Sequence, residues 1–202
     1  TLIGRSVPRR DAPAKVNGQA MFGIDARVPG MLYAAVTMAP TVGGSVASFD
    51  AAGARRMAGV VAVVDLSGVA GRSMGAGAGV AVIARSYWQA RQALGALKVQ
   101  WHPGPHAGLS SAAIFQGFAE ALEREAGTTY FSAGDVDAAP GVVKSVQAEY
   151  RAPYLAHAAM EPINCTAQVG GGKVRLWAST QVPSIAVDVA AARSIVAAKI
   201  DA

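Results

Sequence analysis

Histidine, carboxylate and thioether side chains lie close together in the stretch 150–183. His157, Met160 and Glu161 fall at positions i, i+3 and i+4, a spacing that would bring all three to one face of a helix. Two hard or borderline ligands and one thioether suit no single common metal, and the flanking prolines disfavour a regular helix. We therefore expect His157 and Glu161 to hydrogen-bond the backbone in a buried loop, and metal binding is the less favoured alternative.

A β-hairpin is predicted directly after these residues. Apolar and polar residues alternate from Ile163 onward and again over Lys173–Ala178, and a period of two is typical of half-buried strands. The consecutive glycines between the two segments provide a turn that can adopt positive φ. The second strand leads into Ser-Thr-Gln and then into Pro183, a residue suited to the first turn of a helix.

Two side chains of this hairpin are candidates for chemistry. Cys165 lies on the predicted apolar face, and a buried thiol without a cationic neighbour is inert, so we expect no nucleophilic role for it. Gln181 lies at the strand-to-helix junction, where its amide either ties down the turn or meets a ligand. From the residues alone, tying down the turn is the simpler interpretation.

Two motifs give the chain a family resemblance. The run AHAAMEPINCTA at 156–167, followed by ASTQ at 178–181, resembles the large, molybdenum-carrying subunit of the xanthine dehydrogenase and aldehyde oxidase family. The run IGRSVPRRDAPAKVNGQAMFGID at 3–25 narrows the resemblance to the isoquinoline 1-oxidoreductase β-subunit branch. The resemblance covers most of the chain and weakens between about His102 and Val142.

The resemblance changes the interpretation of Gln181. It matches the family glutamine whose amide hydrogen-bonds an oxygen ligand on molybdenum, so Gln181 becomes the predicted cofactor-binding residue. The resemblance also implies a molybdopterin cofactor in its cytosine dinucleotide form and a separate small subunit that carries 2Fe–2S clusters. For the full-length subunit it implies oxidation of aldehydes or hydroxylation of N-heteroaromatic rings.

The same resemblance implies what this chain does not do alone. The catalytic glutamate and a glycine-rich loop of the family lie further downstream, so we expect an inactive fragment that binds no cofactor by itself. No catalytic or metal-ligating residue is assigned here. The branch often carries a twin-arginine export signal, which implies a periplasmic location. An alternative function from another class is a non-catalytic docking domain for the iron–sulfur subunit.

Composition restricts the class of protein further. Of 202 residues, 52% are apolar and 15% charged, which is typical of a globular chain and not of a disordered one. The net charge is +5, but the basic residues near the N-terminus have no aromatic residues among them, so nucleic-acid binding is not favoured. The chain contains a single cysteine, which excludes an internal disulfide and a zinc or iron–sulfur ligand set. It begins with Thr1, so we expect an excised piece without its native start.

The order of predicted elements indicates an α+β chain in four parts. We expect an arm over 1–18, an α/β hammerhead-like domain over 19–101, a linker with one helix over 102–141, and the start of a molybdopterin-binding domain over 142–202. The proline and glycine residues of 102–110 predict a flexible join. Outside the hairpin, the patterns predict strands at Gln19–Ile24, Met31–Met38, Val60–Leu66, Val80–Ala84, Val99–Trp101 and Val142–Ala152, a loop over Gly68–Gly79, and helices after Asp50, Ser86, Ser110 or Ser111, and Pro183.

Overall fold

A computed structural model describes residues 2–67, 78–135, 141, 144 and 146–189. Within them the chain is a mixture of helices and strands, as the sequence predicts. Residues 68–77 of the predicted loop over Gly68–Gly79, and the part of the last helix beyond residue 189, lie outside the described residues. The elements are α1 (Ala12–Val16), a 3-10 turn (Gly23–Asp25), β1 (Tyr33–Met38), β2 (Ser45–Asp50), α2 (Ala52–Arg55), β3 (Val60–Asp65), β4 (Gly79–Ala84), α3 (Tyr87–Gly95), β5 (Lys98–His102), α4 (Ser111–Arg124), β6 (Cys165–Gly170), β7 (Lys173–Ala178) and α5 (183–189).

The core is a three-stranded antiparallel sheet covered by one helix. β4 lies between β1 and β3, and its Val80 and Val82 are completely buried. Helix α3 packs on this sheet through Ala90, Ala93 and Leu94. Small side chains on both layers let the helix approach closely, because an alanine adds little bulk between the two backbones. Burial of this apolar layer is the main favourable contribution to folding in this half of the chain.

A second sheet consists of the two strands β2 and β5. The sequence predicts β5 but not β2. Its register shifts between Val46 and Ser48, so one strand carries an extra residue. Val46 and Phe49 are both half-buried although they are three positions apart, and this spacing hides the period of two by which strands are predicted. The bulge is therefore the reason that β2 does not stand out in the sequence.

Two predicted helix starts are confirmed by their caps. The Ser86 hydroxyl accepts a hydrogen bond from the backbone N–H of Gln89, and the Ser110 hydroxyl accepts one from the N–H of Ala113. Helix α4 has no buried residue, however: Ile114 and Phe115 are half-buried and Leu122 is 81% exposed. An amphipathic pattern predicts a helix but does not by itself supply a surface to cover it.

Two predicted strands are absent from the described residues. The segment 19–24 is irregular and leads into the 3-10 turn, where the carboxylate of Asp25 accepts a hydrogen bond from the Phe22 N–H at 3.1 Å. Residues 146–152 form no strand, and Val146 and Tyr150 are 85% and 91% exposed. Alternation alone is insufficient here, because a strand needs a neighbour to pair with its backbone.

The predicted flexible join at 102–110 is held against the loop at Thr41–Gly44. The Thr41 hydroxyl donates a hydrogen bond to the Pro103 carbonyl at 2.7 Å. Gly104 adopts a φ of +73°, and a Cβ at this position would collide with the Gly43 carbonyl. Residues 103 and 104 therefore pack against this loop, and the flexibility of the join as a whole stays a prediction.

The close approach at Gly104 gives the first testable prediction. Gly104→Ala should lower the free energy of unfolding by about 1–2 kcal/mol from the left-handed backbone alone, and by more where the collision is not relieved. Gly108→Ala is the matched control, since a Cβ there meets nothing within 4 Å and Gly108 is not among the positive-φ glycines. Urea denaturation of both variants measures the difference. Equal stabilities would show that the join does not pack against the loop.

Candidate functional site

The carboxylate of Glu161 joins two parts of the chain that are far apart in sequence. Its Oε1 accepts a hydrogen bond from the backbone N–H of Ile24 at 3.1 Å, across 137 residues. The same oxygen accepts a second bond from the Asn164 amide at 2.9 Å. Oε2 accepts a bond from the Ser179 hydroxyl at 2.5 Å. One side chain thus connects the 3-10 turn to both strands of the β6–β7 hairpin at its open end.

The hairpin register explains how two residues reach the same carboxylate. Cys165 pairs with Ala178, so Asn164 and Ser179 follow at the open end of the ladder, opposite each other. At the closed end, Gly171 and Gly172 have φ values of +58° and +70°. A two-residue turn with positive φ at both positions matches the twist of the strands and fixes the register. The predicted hairpin is therefore confirmed, and its turn determines which residues meet Glu161.

Gly23 lies buried against this open end. A Cβ on Gly23 would be 2.7 Å from Oδ1 of Asn164 and 3.4 Å from the Cα of Ala178, so the position has no room for a side chain. The Asn164 amide nitrogen donates to Glu161 and to the Pro162 carbonyl, which fixes the orientation of the amide. Among the described residues, no donor reaches its Oδ1, which is buried. This oxygen therefore lies where the Gly23 backbone packs most closely against the hairpin.

The hydrogen bonds to Glu161 change its acidity. They hold its pKa below the usual value for glutamate, with the Ser179 hydroxyl as the largest cause, followed by the Asn164 amide and the Ile24 N–H. All of these groups donate to the carboxylate and so favour its ionised form. Glu161 therefore acts in this structure as a charged acceptor.

The structure supports the predicted role of Glu161 but not that of His157, and it leaves Met160 exposed. Glu161 does bond the backbone and fix the hairpin, as the sequence predicts. His157 is exposed, so its expected place in a buried loop is wrong, and Met160 is 102% exposed. In the described part of the chain no three His, Cys, Asp or Glu side chains come close enough to hold a metal ion. The spacing therefore reflects one structural carboxylate beside two exposed neighbours.

The faces of the hairpin also differ from the prediction. Ile163 is fully exposed and Cys165 is exposed, whereas Thr166 on the predicted outer face is half-buried. Val174 and Leu176 of the predicted apolar face are half-buried, so neither face of the hairpin is covered as a whole. The apolar face instead forms one wall of an open groove of about 470 Å³, which is lined by Cys165, Leu176, Ala178, Thr180, Val182, Ile185, Ala186 and Val189. Although the residue as a whole is exposed, partial burial of the Cys165 thiol raises its pKa.

Gln181 is exposed between β7 and α5. Its neighbours Thr180 and Val182 line the groove, and the Thr180 hydroxyl accepts a hydrogen bond from the Val182 N–H at 3.1 Å. The structure thus places Gln181 at the strand end that Ser179 and Glu161 hold. Its role in cofactor binding stays a prediction. Sequence reasoning did not find Gly23, Asn164 and Ser179, although all three lie within the motifs that carry the family resemblance.

Comparison with known proteins places this region in a cofactor-binding family. Residues 120–200 match the molybdopterin cofactor-binding domain. The chain is 32% identical over 195 residues to isoquinoline 1-oxidoreductase subunit beta of Brevundimonas diminuta, and the match covers 91% of this chain and 24% of that protein. It is 36% identical over 188 residues to the pyrroloquinoline-quinone membrane-bound aldehyde dehydrogenase of Gluconacetobacter polyoxogenes, with the same coverage of 91% and 24%.

A solved structure shows a partial likeness. Quinoline 2-oxidoreductase from Pseudomonas putida 86 aligns over 52% of this chain and 17% of its own, with 24% identity and a TM-score of 0.41. The chain spans about a quarter of the length of the two curated relatives.

These matches define a molybdopterin-binding class of protein on a scaffold of mixed helices and strands. The comparisons support a fragment of a molybdopterin-binding subunit similar to those of the xanthine dehydrogenase and aldehyde oxidase family, as the sequence resemblance predicts. No helix in the described residues is long and apolar enough to cross a membrane.

The lowered pKa of Glu161 predicts how stability depends on pH. A carboxylate with a lowered folded-state pKa stabilises the fold above its usual pKa of 4.5, and this contribution is lost as the pH falls through the lower folded value. The difference in unfolding free energy between the wild type and Glu161→Gln should therefore be largest at neutral pH and shrink below pH 4.5. Urea denaturation from neutral pH to about pH 3 measures it.

Ser48→Ala is the control for this titration. It removes a hydroxyl that donates to Gln100 at 3.1 Å in the β2–β5 sheet and introduces no ionisable group. Its stability difference from the wild type should stay constant over the same range. A constant difference for Glu161→Gln as well would contradict the stabilising role of the ionised carboxylate.

Proposed function

We propose that this chain is part of a molybdenum hydroxylase large subunit that oxidises aldehydes or N-heteroaromatic compounds, and that Gln181 donates a hydrogen bond to its molybdopterin cofactor. The observation that carries the proposal is the hairpin end at Ser179–Gln181, which lies inside the region matched to the cofactor-binding domain. The names of the relatives include an isoquinoline oxidoreductase and an aldehyde dehydrogenase, which supports these two substrate classes.

The chemistry of Gln181 fits a cofactor rich in acceptor atoms. Its amide N–H₂ donates without adding charge, and the side chain is exposed at a strand end, where a large ligand can approach it. When bound, the cofactor supplies the redox chemistry. Gln181 itself would orient the cofactor and stabilise charge on an acceptor atom, and we propose no proton transfer by any residue of this chain. Donors for the cofactor phosphates, and the general base, would come from other parts of the subunit.

The fuller assembly is also part of the proposal. We propose a cytosine dinucleotide form of the cofactor, a separate small subunit with 2Fe–2S clusters that removes the electrons, and a periplasmic location. The word "subunit" in the name of the isoquinoline relative supports a multi-subunit enzyme. The three-stranded sheet and α3 would then correspond to the hammerhead-like part, and 142–202 to the start of the cofactor-binding part.

A docking role is the second candidate function. The N-terminal arm carries exposed Leu2 and Ile3 at 75% and 93%, next to the exposed Arg5 and Arg10. Exposed apolar residues beside cations favour contact with another protein surface. The arm would then contact the small electron-transfer subunit. In a complete enzyme the two functions are compatible, because docking brings the iron–sulfur clusters to the cofactor.

Substitution of Gln181 in the complete enzyme tests the proposal. Removing a donor from a charge-stabilising site typically lowers turnover about 10²–10³-fold, so Gln181→Ala should lower kcat by this order. Gln181→Glu should lower it further, because a carboxylate places negative charge against an acceptor. The melting temperature should be nearly unchanged, since Gln181 is exposed.

Gln168→Ala is the matched control for these variants. Gln168 is an exposed glutamine of β6, and it lies beside Arg175 in the register of the same hairpin. It should keep wild-type turnover. Wild-type turnover and molybdenum content in Gln181→Ala would show that Gln181 does not contact the cofactor.

A further inference from the structure

We propose that Glu161 and Ser179 form a positioning pair that holds Gln181 in place. The hydrogen bond between Ser179 Oγ and Glu161 Oε2 sets the position of the strand end from which Gln181 projects. This inference rests on the proposed function of Gln181. It assigns a purpose to a carboxylate and a hydroxyl that would not themselves touch the cofactor.

The first argument is the end of the β-ladder. The last pair of the hairpin is Cys165 with Ala178, so Ser179 and the two residues after it have left the cross-strand ladder. The bond between Thr180 and Val182 is local and turns the chain without fixing it to the rest of the protein. In the described part of the chain, the Glu161 carboxylate is the group that links this segment to a distant element.

The second argument is distance along the backbone. Gln181 follows Ser179 by two residues, so its Cα lies within about 7 Å of the Ser179 Cα. Fixing the Ser179 side chain therefore restricts where the Gln181 amide can be. A displacement of about 1 Å at a catalytic centre can cost as much as 10²-fold in rate.

The third argument is the anchoring of Glu161 itself. The Ile24 N–H and the Asn164 amide both donate to its Oε1. These two bonds fix the carboxylate independently of its bond to Ser179. Gly23 lets the turn approach so closely that a Cβ there would lie 2.7 Å from Asn164 Oδ1. The close backbone contact at Gly23 thus fixes the strand end through two side chains, those of Glu161 and Ser179. A carboxylate bonded on both oxygens suits this purpose, because it accepts from three donors at once.

The test uses the complete enzyme with its cofactor and partner subunit. Ser179→Ala breaks the link to the strand end and leaves the bonds of Glu161 to Ile24 and Asn164 intact. It should lower kcat per bound molybdenum about 10–100-fold, as the loss of an outer hydrogen bond to a metal site typically does. Ser179→Thr keeps a hydroxyl and should restore most of the turnover. The Mo(V) electron paramagnetic resonance signal of Ser179→Ala should shift in the same direction as that of Gln181→Ala.

A double variant separates positioning from a general loss of structure. If Ser179 acts through Gln181, then Ser179→Ala combined with Gln181→Ala should turn over no more slowly than Gln181→Ala alone. Ser48→Ala, which loses a comparable hydroxyl bond in the other sheet, should keep wild-type turnover and signal.

Each contrary result overturns a different statement. Slow turnover in Gln181→Ala with wild-type turnover in Ser179→Ala would overturn the positioning pair and leave the proposed function standing. Losses that multiply in the double variant, or a fall in melting temperature and molybdenum content that accounts for the whole loss, would show that Ser179 is merely structural. Wild-type turnover in Gln181→Ala would overturn the proposed function, and the positioning pair with it.

Discussion

The arrangement of the hairpin depends on the hydrogen bonds that converge on the Glu161 carboxylate. Its two oxygens accept hydrogen bonds from Asn164, Ser179 and the backbone N–H of Ile24. Ile24 is 137 residues away from Glu161 in the sequence. A two-stranded unit alone is marginally stable in water, and this carboxylate bonds the hairpin to the 3-10 turn. The bonds also require a close backbone approach, which Gly23 permits. The charged carboxylate of Glu161 and the lack of a side chain at Gly23 are thus both needed for this contact.

The two halves of the described chain are held by different interactions. The three-stranded sheet and α3 are stabilised by apolar burial around Val82 and Leu94. The hairpin has no buried residue and is attached through polar contacts at its open end. Tyr130, Phe131 and Tyr150 between the two halves are each more than 80% exposed. Exposed aromatic residues of this kind are typical of surfaces that contact other protein surfaces. This fits the proposal that the chain works as part of a larger subunit.

The sequence predicts those features that depend on residues close together along the chain, and misses those that depend on residues far apart. The hairpin, its glycine turn and the serine caps at 86 and 110 were predictable, because period, turn chemistry and capping are local signals. The link between Glu161 and Ile24 was not, since no local pattern connects residues 137 positions apart. The bulge interrupts the period of two in β2, and alternation in the hairpin marks two faces without specifying which of their residues a neighbour covers. At the site, the family resemblance supplied Gln181, whereas the structure supplied the residues that hold its strand end.

Amide hydrogen exchange at Ile24 tests the central claim most directly, because this N–H is the donor that reaches Glu161 from the distant turn. Ile24 is exposed, so protection of its amide would come from the hydrogen bond and not from burial of the residue. We predict slow exchange in the wild type and exchange near the rate of a free amide in Glu161→Ala. Exchange of Ile24 at the free rate in the wild type would contradict the account, since the carboxylate would then not hold the turn to the hairpin.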